Sequence, residues 1–288
     1  MIKIDVVCPL YKASKNIEKL IGDIRLQKDV VVNRMVFAVT ECDDSAETIS
    51  ALEKEGALWF LVKKEEFSHS LTREKAITEY CESDVVIMIS QDIVFFNENA
   101  FYTLAKEISG KTVYAFGRQT AKKNTIEHYI RESNYGKEDI VVTESDIDKM
   151  QIKAFFASDA FSAYFRPTFL DLNGYDERHM MMNEDMYYAR KVLLNGYEKK
   201  YVAGAVVEHS HDYKFRQLYN RYYETGKWFH DNPEFNQYKV TESGFKLATS
   251  VLKKALKDFN IPVLFKFLPN MTARFLGMKK GQKWDKKV

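Results

Sequence analysis

The stretch Val85-Val86-Ile87-Met88-Ile89-Ser90-Gln91-Asp92-Ile93 decides the fold. Its first five residues are apolar, mostly β-branched and too few for a helix, so they read as a buried strand. The rim beyond the carboxyl end of such a strand is where open α/β sheets bind ligands. A carboxylate there, Asp92, is suited to hold a divalent cation against a diphosphate.

Upstream, Ile2 to Cys8 is a first strand, expected to stop at Pro9. Ile17, Leu20, Ile21 and Ile24 recur at helical spacing behind a cap at Ser14 or Asn16. Met35 to Val39 is a second strand leading into the acidic loop Glu41-Cys42-Asp43-Asp44-Ser45, and a helix over 48–54 ends at Gly56. Leu58 to Val62 is a strand, and Ser70 to Glu82 a helix. This alternation predicts a parallel, doubly wound sheet with its strand ends on one rim.

Downstream, Val113 to Phe116 is a strand, followed by a polar stretch to Lys149 that is expected to be a mobile excursion near the site. Glu184 to Leu194 is a helix closed by Asn195-Gly196. Tyr201 to Val207 is a strand that delivers His209 and His211 to its end. After Asn232-Pro233 the pattern is helical and basic to the end, which divides the chain into a catalytic domain over 1–215 and a helical, basic region over 216–288.

A net charge of +2 over 288 residues gives no general case for a nucleic-acid partner. The charge is uneven, however. The last 38 residues carry 10 Lys or Arg against 2 Asp or Glu, so the rest of the chain is mildly acidic. In that tail Leu264, Phe265, Phe267, Leu268, Met271, Phe275, Leu276 and Met278 alternate with Lys257, Lys266, Arg274, Lys279 and Lys280. Such a pattern suits a helix lying on an anionic membrane surface, with Trp284 at the headgroups, and equally a helix packed on the main domain. No apolar stretch approaches the roughly 18 residues of a spanning helix. Cys8, Cys42 and Cys81 show no metal or redox spacing, and a strand begins at the N-terminus. Together these predict a cytoplasmic protein, free or peripheral on the inner face of the plasma membrane.

Position alone nominates further residues. His209 and His211, two apart at a strand end, share one face, and either could join Asp92 on a metal. Glu41, Asp43 and Asp44 follow the second strand, where nucleotide-binding folds place an acid to read base or ribose. Tyr11 is placed to stack on a base, and Tyr219, Tyr222 and Tyr223 suggest an acceptor groove or a homodimer seam.

Six segments in order resemble family-2 inverting glycosyltransferases of the GT-A fold, and more narrowly the bacterial rhamnosyltransferases of O-antigen, capsule and cell-wall polysaccharide synthesis. Cys8-Pro9-Leu10-Tyr11 is similar to the family's Pro-x-Tyr turn, and Phe67 to Glu74 to its Phe-Asn-His-Gly-x-Thr-Arg-Asn segment. Ser90-Gln91-Asp92-Ile93 answers to Thr-Gln-Asp-Ala, and Phe116-Gly117-Arg118-Gln119 to Tyr-Gly-Arg-Gln. Gly174-Tyr175-Asp176-Glu177 with Glu184-Asp185, and His209-Ser210-His211-Asp212-Tyr213, complete the series. The chain departs from the pattern at Ser70, at Glu74, in the acidic turn, and at Ser158-Asp159 where the family has Ser-Asn.

The resemblance implies an α/β GT-A fold with a mixed central sheet and a C-terminal helical extension. It implies transfer of a sugar, L-rhamnose from dTDP-L-rhamnose foremost, to a lipid-linked glycan. A UDP-hexose enzyme on the same site, or a non-catalytic glycan- or lipid-binding relative, are the alternatives. Asp92 with His209 or His211 would hold Mn²⁺ or Mg²⁺. Pro9, Tyr11, Glu41, Asp43, Asp44, His69, Arg73, Gln91, Arg118, Ser158 and Asp159 would bind the donor, with Arg73 clamping the diphosphate and Ser158 and Asp159 touching the sugar. Asp185 would be the general base, ionised by the helix dipole yet raised in pKa by burial or neighbouring acids, and Glu184 would orient it.

Overall fold

The computed structural model describes residues 1–239 and 241–284. The final four residues of the basic tail lie outside them.

One mixed sheet of nine strands forms the centre. In chain order they are β1 (Ile2–Leu10), β2 (Val30–Thr40), β3 (Leu58–Val62), β4 (Val85–Ile89), β5 (Val94–Phe95), β6 (Thr112–Thr120), β7 (Ile140–Val142), β8 (Phe161–Phe165) and β9 (Glu198–Glu208). Their spatial order is β3-β2-β1-β4-β8-β6-β9-β5, with β7 also paired to β9. The first four are parallel, as the alternation predicts. The sheet becomes mixed at β8, which runs antiparallel to both β4 and β6.

Eleven helices surround it among the described residues: α1 (Ile17–Arg25), α2 (Ser45–Lys54), α3 (His69–Lys75), α4 (Ala100–Ala105), α5 (Ile126–Asn134), α6 (Ile147–Met150), α7 (Arg166–Asp171), α8 (Glu184–Leu194), α9 (Phe215–Asp231), α10 (Thr241–Lys257) and α11 (Ile261–Gln282). Strand alternation sorts the core into two layers. Val85, Ile87 and Ile89 pack with Ile17, Leu20, Ile24 and Leu104, from α1 and α4. Val86 and Met88 face the layer that holds Phe169, Tyr188, Val192 and Trp228, from α7, α8 and α9. A third cluster joins Ile126, Tyr129 and Ile130 of α5 to Val251, Ala255 and Val263 of α10 and α11.

Several boundaries differ from the sequence reading. β1 continues through Pro9 to Leu10, because beyond Val7 the strand has left β4 and Pro9 sits on a ladder with β2 alone. The helix expected from Ser70 begins at His69, is capped by Ser68, and after Lys75 widens into a π-type turn over Ala76–Tyr80. The polar stretch after β6 is ordered: α5 buries Ile126, Tyr129 and Ile130, and β7 joins the sheet edge. Its polarity reflects helices and strands with one face in water.

The stretch of α9 that carries Tyr219, Tyr222 and Tyr223 packs against α11. α9 and α11 approach so closely that a Cβ on Gly277 would meet the Tyr219 carbonyl, and one on Gly281 the Tyr223 carbonyl. Tyr222 accepts a hydrogen bond from Arg274 within this intramolecular seam. Trp284 is also occupied there, with Lys227 over its ring at 4.3 Å and His230 at its edge, so the expected headgroup anchor is packed against α9. None of the described helices is long and apolar enough to cross a membrane.

Candidate active site

The parallel order of β2, β1 and β4 puts their carboxyl ends on one rim. A cleft of about 170 Å³ opens there, lined by Pro9, Tyr11, Thr40, Gln91 and Asp92 from the strand ends and by Phe67, His69 and Arg73 from the start of α3. Gln91 binds the first loop to the second, its Oε1 accepting from Tyr11 N at 2.7 Å and its Nε2 donating to Tyr11 O at 2.9 Å. The amide thus braces the two loops while Gln91 also lines the cleft. Thr40, at the end of β2, was not anticipated from the sequence. It is buried, and its Oγ1 has no hydrogen-bond partner in a cleft it helps to line.

Asp92 is carried to its partners by β5. The chain turns after Asp92 and pairs Val94 with Glu208 and Phe95 with Val207, which sets Asp92 beside the end of β9. Asp92 Oδ1 lies 3.3 Å from His209 Nε2, and Oδ2 3.5 Å from His211 Nδ1. The two Nε2 atoms are 2.9 Å apart. One ligand atom from each of the three residues fits within 4.8 Å. So dense a set of carboxylate oxygens and imidazole nitrogens calls for a positive charge among them, a shared proton or a divalent cation, and its O,N,N composition fits a transition metal.

Behind this triplet, Gln119 Oε1 contacts His209 Nδ1 at 2.9 Å while Gln119 Nε2 donates to Ser158 Oγ at 2.6 Å. With its amide N–H spent on Ser158, Gln119 accepts from Nδ1–H and leaves His209 Nε2 to face Asp92. Gly117 makes this possible: a Cβ there would lie 2.6 Å from Ala205 O, and the bulge that follows it resets the register of β6 on β9. Burial holds the His211 imidazole near a pKa of about 4, so it is neutral and available as a ligand. Burial works against ionising Asp92, but the neighbouring imidazoles outweigh it and leave its carboxyl below the usual range.

Beneath the cleft is a buried ionic network. Arg73 Nη1 donates to Glu184 Oε1 at 2.8 Å and lies 2.8 Å from His69 Nδ1, and Arg73 Nε is 3.9 Å from Asp159 Oδ2. Arg73 Nε is buried without a hydrogen-bond partner among the described residues. Asp159 accepts from Tyr114, Tyr164, Tyr175 and Ser162, and at 2 % exposure its carboxylate is turned into the core. The expected contact of Asp159 with the donor sugar is therefore corrected: Asp159 lies under Arg73 as a support. Ser158 is likewise engaged, by Gln119.

Asp185 follows Glu184 in the first turn of α8, which Asn183 enters at φ +60°. Burial, then the charges of Glu184 and Asp159, push its carboxyl well above the ordinary range. Three carboxylates around one guanidinium explain the direction. Ser70 and Glu74, two departures from the family pattern, brace the approach to α8. Ser70 Oγ accepts from Met180 N at 2.8 Å, and Glu74 lies against Gly174, where a Cβ would collide with it.

The remaining candidates stand further off. Asp44 accepts from Ser14 N and from Cys42 Sγ, both at 3.1 Å, and so clamps the loops after β1 and β2. Glu41 and Asp43 are exposed beside it. Arg118 does not line the cleft and has no ionic partner among the described residues. Arg221 of α9 carried no motif, yet it lies over the Tyr213 ring, which stacks on His211 at 4.9 Å, and its charge reaches His69 and His211.

No protein-family model matches the chain. It is 31% identical over 290 residues to the O-antigen chain rhamnosyltransferase RfbN of Salmonella typhimurium (strain LT2), covering 98% of this chain and 90% of that protein. It is 36% identical over 232 residues to the O-antigen chain rhamnosyltransferase WbaN of Salmonella anatum, covering 78% and 72%. Among solved structures it is similar to the mannosyltransferase PcManGT from Pyrobaculum calidifontis in complex with GDP-Man and Mn²⁺, with a TM-score of 0.61 at 12% identity over 99% of this chain and 88% of that one. It is also similar to S. aureus TarS in complex with UDP-GlcNAc, with a TM-score of 0.56 at 11% identity over 98% and 92%. The fold is that of the GT-A glycosyltransferases.

Proposed function

Because the chain belongs to the O-antigen rhamnosyltransferase family and is a glycosyltransferase, we propose that it moves L-rhamnose, with inversion, from dTDP-L-rhamnose to a hydroxyl of a lipid-linked glycan in bacterial surface polysaccharide synthesis. The observation that carries this reading is the Asp92, His209 and His211 triplet at the edge of a cleft lined by Tyr11, Thr40 and Arg73.

On this reading Tyr11 stacks on the base, and Thr40 with Glu41 or Asp43 meets base or ribose polar groups. Pro9 and His69 wall the cleft, while Asp44 and Gln91 hold its loops. A divalent cation, Mn²⁺ or Mg²⁺, bound by Asp92 and the two imidazoles would supply Lewis-acid charge to the diphosphate. Arg73, oriented by Glu184 and Asp159 and lining the cleft, offers its guanidinium to the same oxygens. Asp185 takes the proton of the acceptor hydroxyl. That oxygen bonds to the anomeric carbon as the bond from this carbon to the diphosphate oxygen breaks, its electron pair leaving on the diphosphate. The raised pKa of Asp185 suits a base working near neutrality. Arg118, without an ionic partner, is free to meet the acceptor. Residues 1–215 are the catalytic domain, and the region 216–288, with α9, α10 and α11, is its extension.

Thermal shift with dTDP-L-rhamnose, UDP-hexoses and GDP-mannose, each with Mn²⁺, tests the donor. The largest rise in melting temperature is expected with dTDP-L-rhamnose. A larger rise with a UDP-hexose would overturn the rhamnose assignment. Donor-consumption assays on Asp92→Ala and Asp185→Asn test the chemistry, and parental rates in both would overturn it.

A further inference from the structure

We propose that the outward face of α11 docks the protein on an anionic phospholipid bilayer and holds the cavity beside His211 against the headgroups. α11 splits its apolar residues between two faces. Leu264, Phe267 and Met271 pack on α5 and α10, and Met278 packs on the main core. The other face has no such cover: Phe265 is 79% exposed, Leu268 72%, Phe275 61% and Ile261 60%. Ile261, Phe265, Leu268 and Phe275 are spaced by four, three and seven residues, which returns each to one side of the helix as a stripe. Phe259, 86% exposed in the turn before α11, extends it.

The charge around the stripe selects its occupant. Lys257, Lys266, Lys279, Lys280 and Lys283 are exposed along its margins and toward its C-terminal end, and none of them pairs with a carboxylate among the described residues. Two copies joined through this stripe would bring like charges together. An anionic bilayer accepts the apolar side chains at the depth of the acyl boundary and the ammonium groups at the phosphates. A spanning helix is not required, and none of the described helices qualifies.

The stripe also borders a cavity of about 530 Å³. α11 contributes Phe265, Lys266 and Pro269 to its wall, and the opposite side is formed by His211, Lys214 and Phe215. One side chain of the metal triplet therefore lines a largely apolar space, with Lys214, Lys266 and Arg274 against Glu127 and Asp212, that opens beside the docking face. Resting on the reading of a lipid-linked acceptor, this is the route by which a phosphate-bearing lipid tail stays in the bilayer while its glycan extends past His211 toward the donor cleft.

The test is co-sedimentation of the full chain with vesicles of phosphatidylglycerol and phosphatidylcholine, against vesicles of phosphatidylcholine alone. The parent should pellet with the anionic vesicles and be released by salt. The double variant Leu268→Ser, Phe275→Ser should lose more than about tenfold in partitioning while keeping its melting temperature and its donor-induced shift. Failure of the parent to pellet, or equal pelleting of the variant, overturns the docking face. So does a parent that dimerises in solution through these residues, seen as a mass that halves in the variant. Vesicle binding is read without donor or turnover, so its failure is distinct from failure of the rhamnose assignment.

Discussion

Arg73 of α3 and Glu184, the first residue of α8, form an ion pair 2.8 Å long whose side chains are only 5% and 7% exposed. The pair joins the floor of the donor cleft to the helix that carries Asp185. Removing one partner of a buried pair leaves the other charge desolvated, which typically costs about 3–5 kcal/mol. Arg73→Met, which strands Glu184 and Asp159 together, is therefore expected to lower the free energy of unfolding by about that amount in urea titration. Retention of parental stability would mean that the network is hydrated.

Gln119 acts on a metal only through His209. Loss of such an outer partner typically costs about 10–100-fold in metal affinity. Gln119→Leu should weaken Mn²⁺ binding by about that factor in calorimetry, and Asp92→Asn should weaken it more. Equal affinities across the three proteins would count against the site.

Asp185 holds its proton more tightly folded than unfolded. Its ionisation therefore opposes folding: this contribution is smallest below the ordinary carboxylate range and grows as pH rises toward the folded value. Asp185→Asn should raise the melting temperature at neutral pH while abolishing turnover. The parental rate should climb with pH through a range above that of an ordinary carboxylate. A rate profile already flat at the acidic end would remove Asp185 as the base.

His69 behaves in the opposite sense. Burial, followed by the charge of Arg73, depresses it from 6.5 to about 3. The unfolded chain gains a proton that the folded chain refuses, so stability present above about 6.5 is lost as pH falls toward 3. In melting curves across this window His69→Gln should flatten the acid decline. An unchanged slope would assign the decline to other groups.

The α9–α11 seam depends on backbone contact at Gly277 and Gly281. Gly281→Val forces the helices apart and is expected to destabilise by about 1–3 kcal/mol or more, read as a lowered melting temperature.

What the sequence disclosed followed from local pattern. β3 and α8 fall where composition places them, because an apolar run ends at a turn in one case and Asn195-Gly196 closes the helix in the other. Asp92 was legible as the acid after an apolar strand, and His209 and His211 as a pair at a strand end. What escaped is non-local. β5 has two residues, too few to carry a periodicity, yet it alone brings Asp92 to β9. The sugar contact of Asp159 is what the resemblance implies, and nothing nearby in sequence announces Tyr114 or Tyr175, which hold its carboxylate in the core. Thr40 and Arg221 belong to no motif, and only the meeting of β2 with α3, and of α9 with the segment 209–213, gives them a role.

The paired hydrogen bonds between Gln91 and the Tyr11 backbone make the surface that would meet a nucleobase and the loop that ends in Asp92 a single stiff part. A substitution that shifts the backbone at Tyr11 would thus displace Asp92 as well. Base preference and cation geometry would shift together, and retuning the donor would require refitting the ion in the same step.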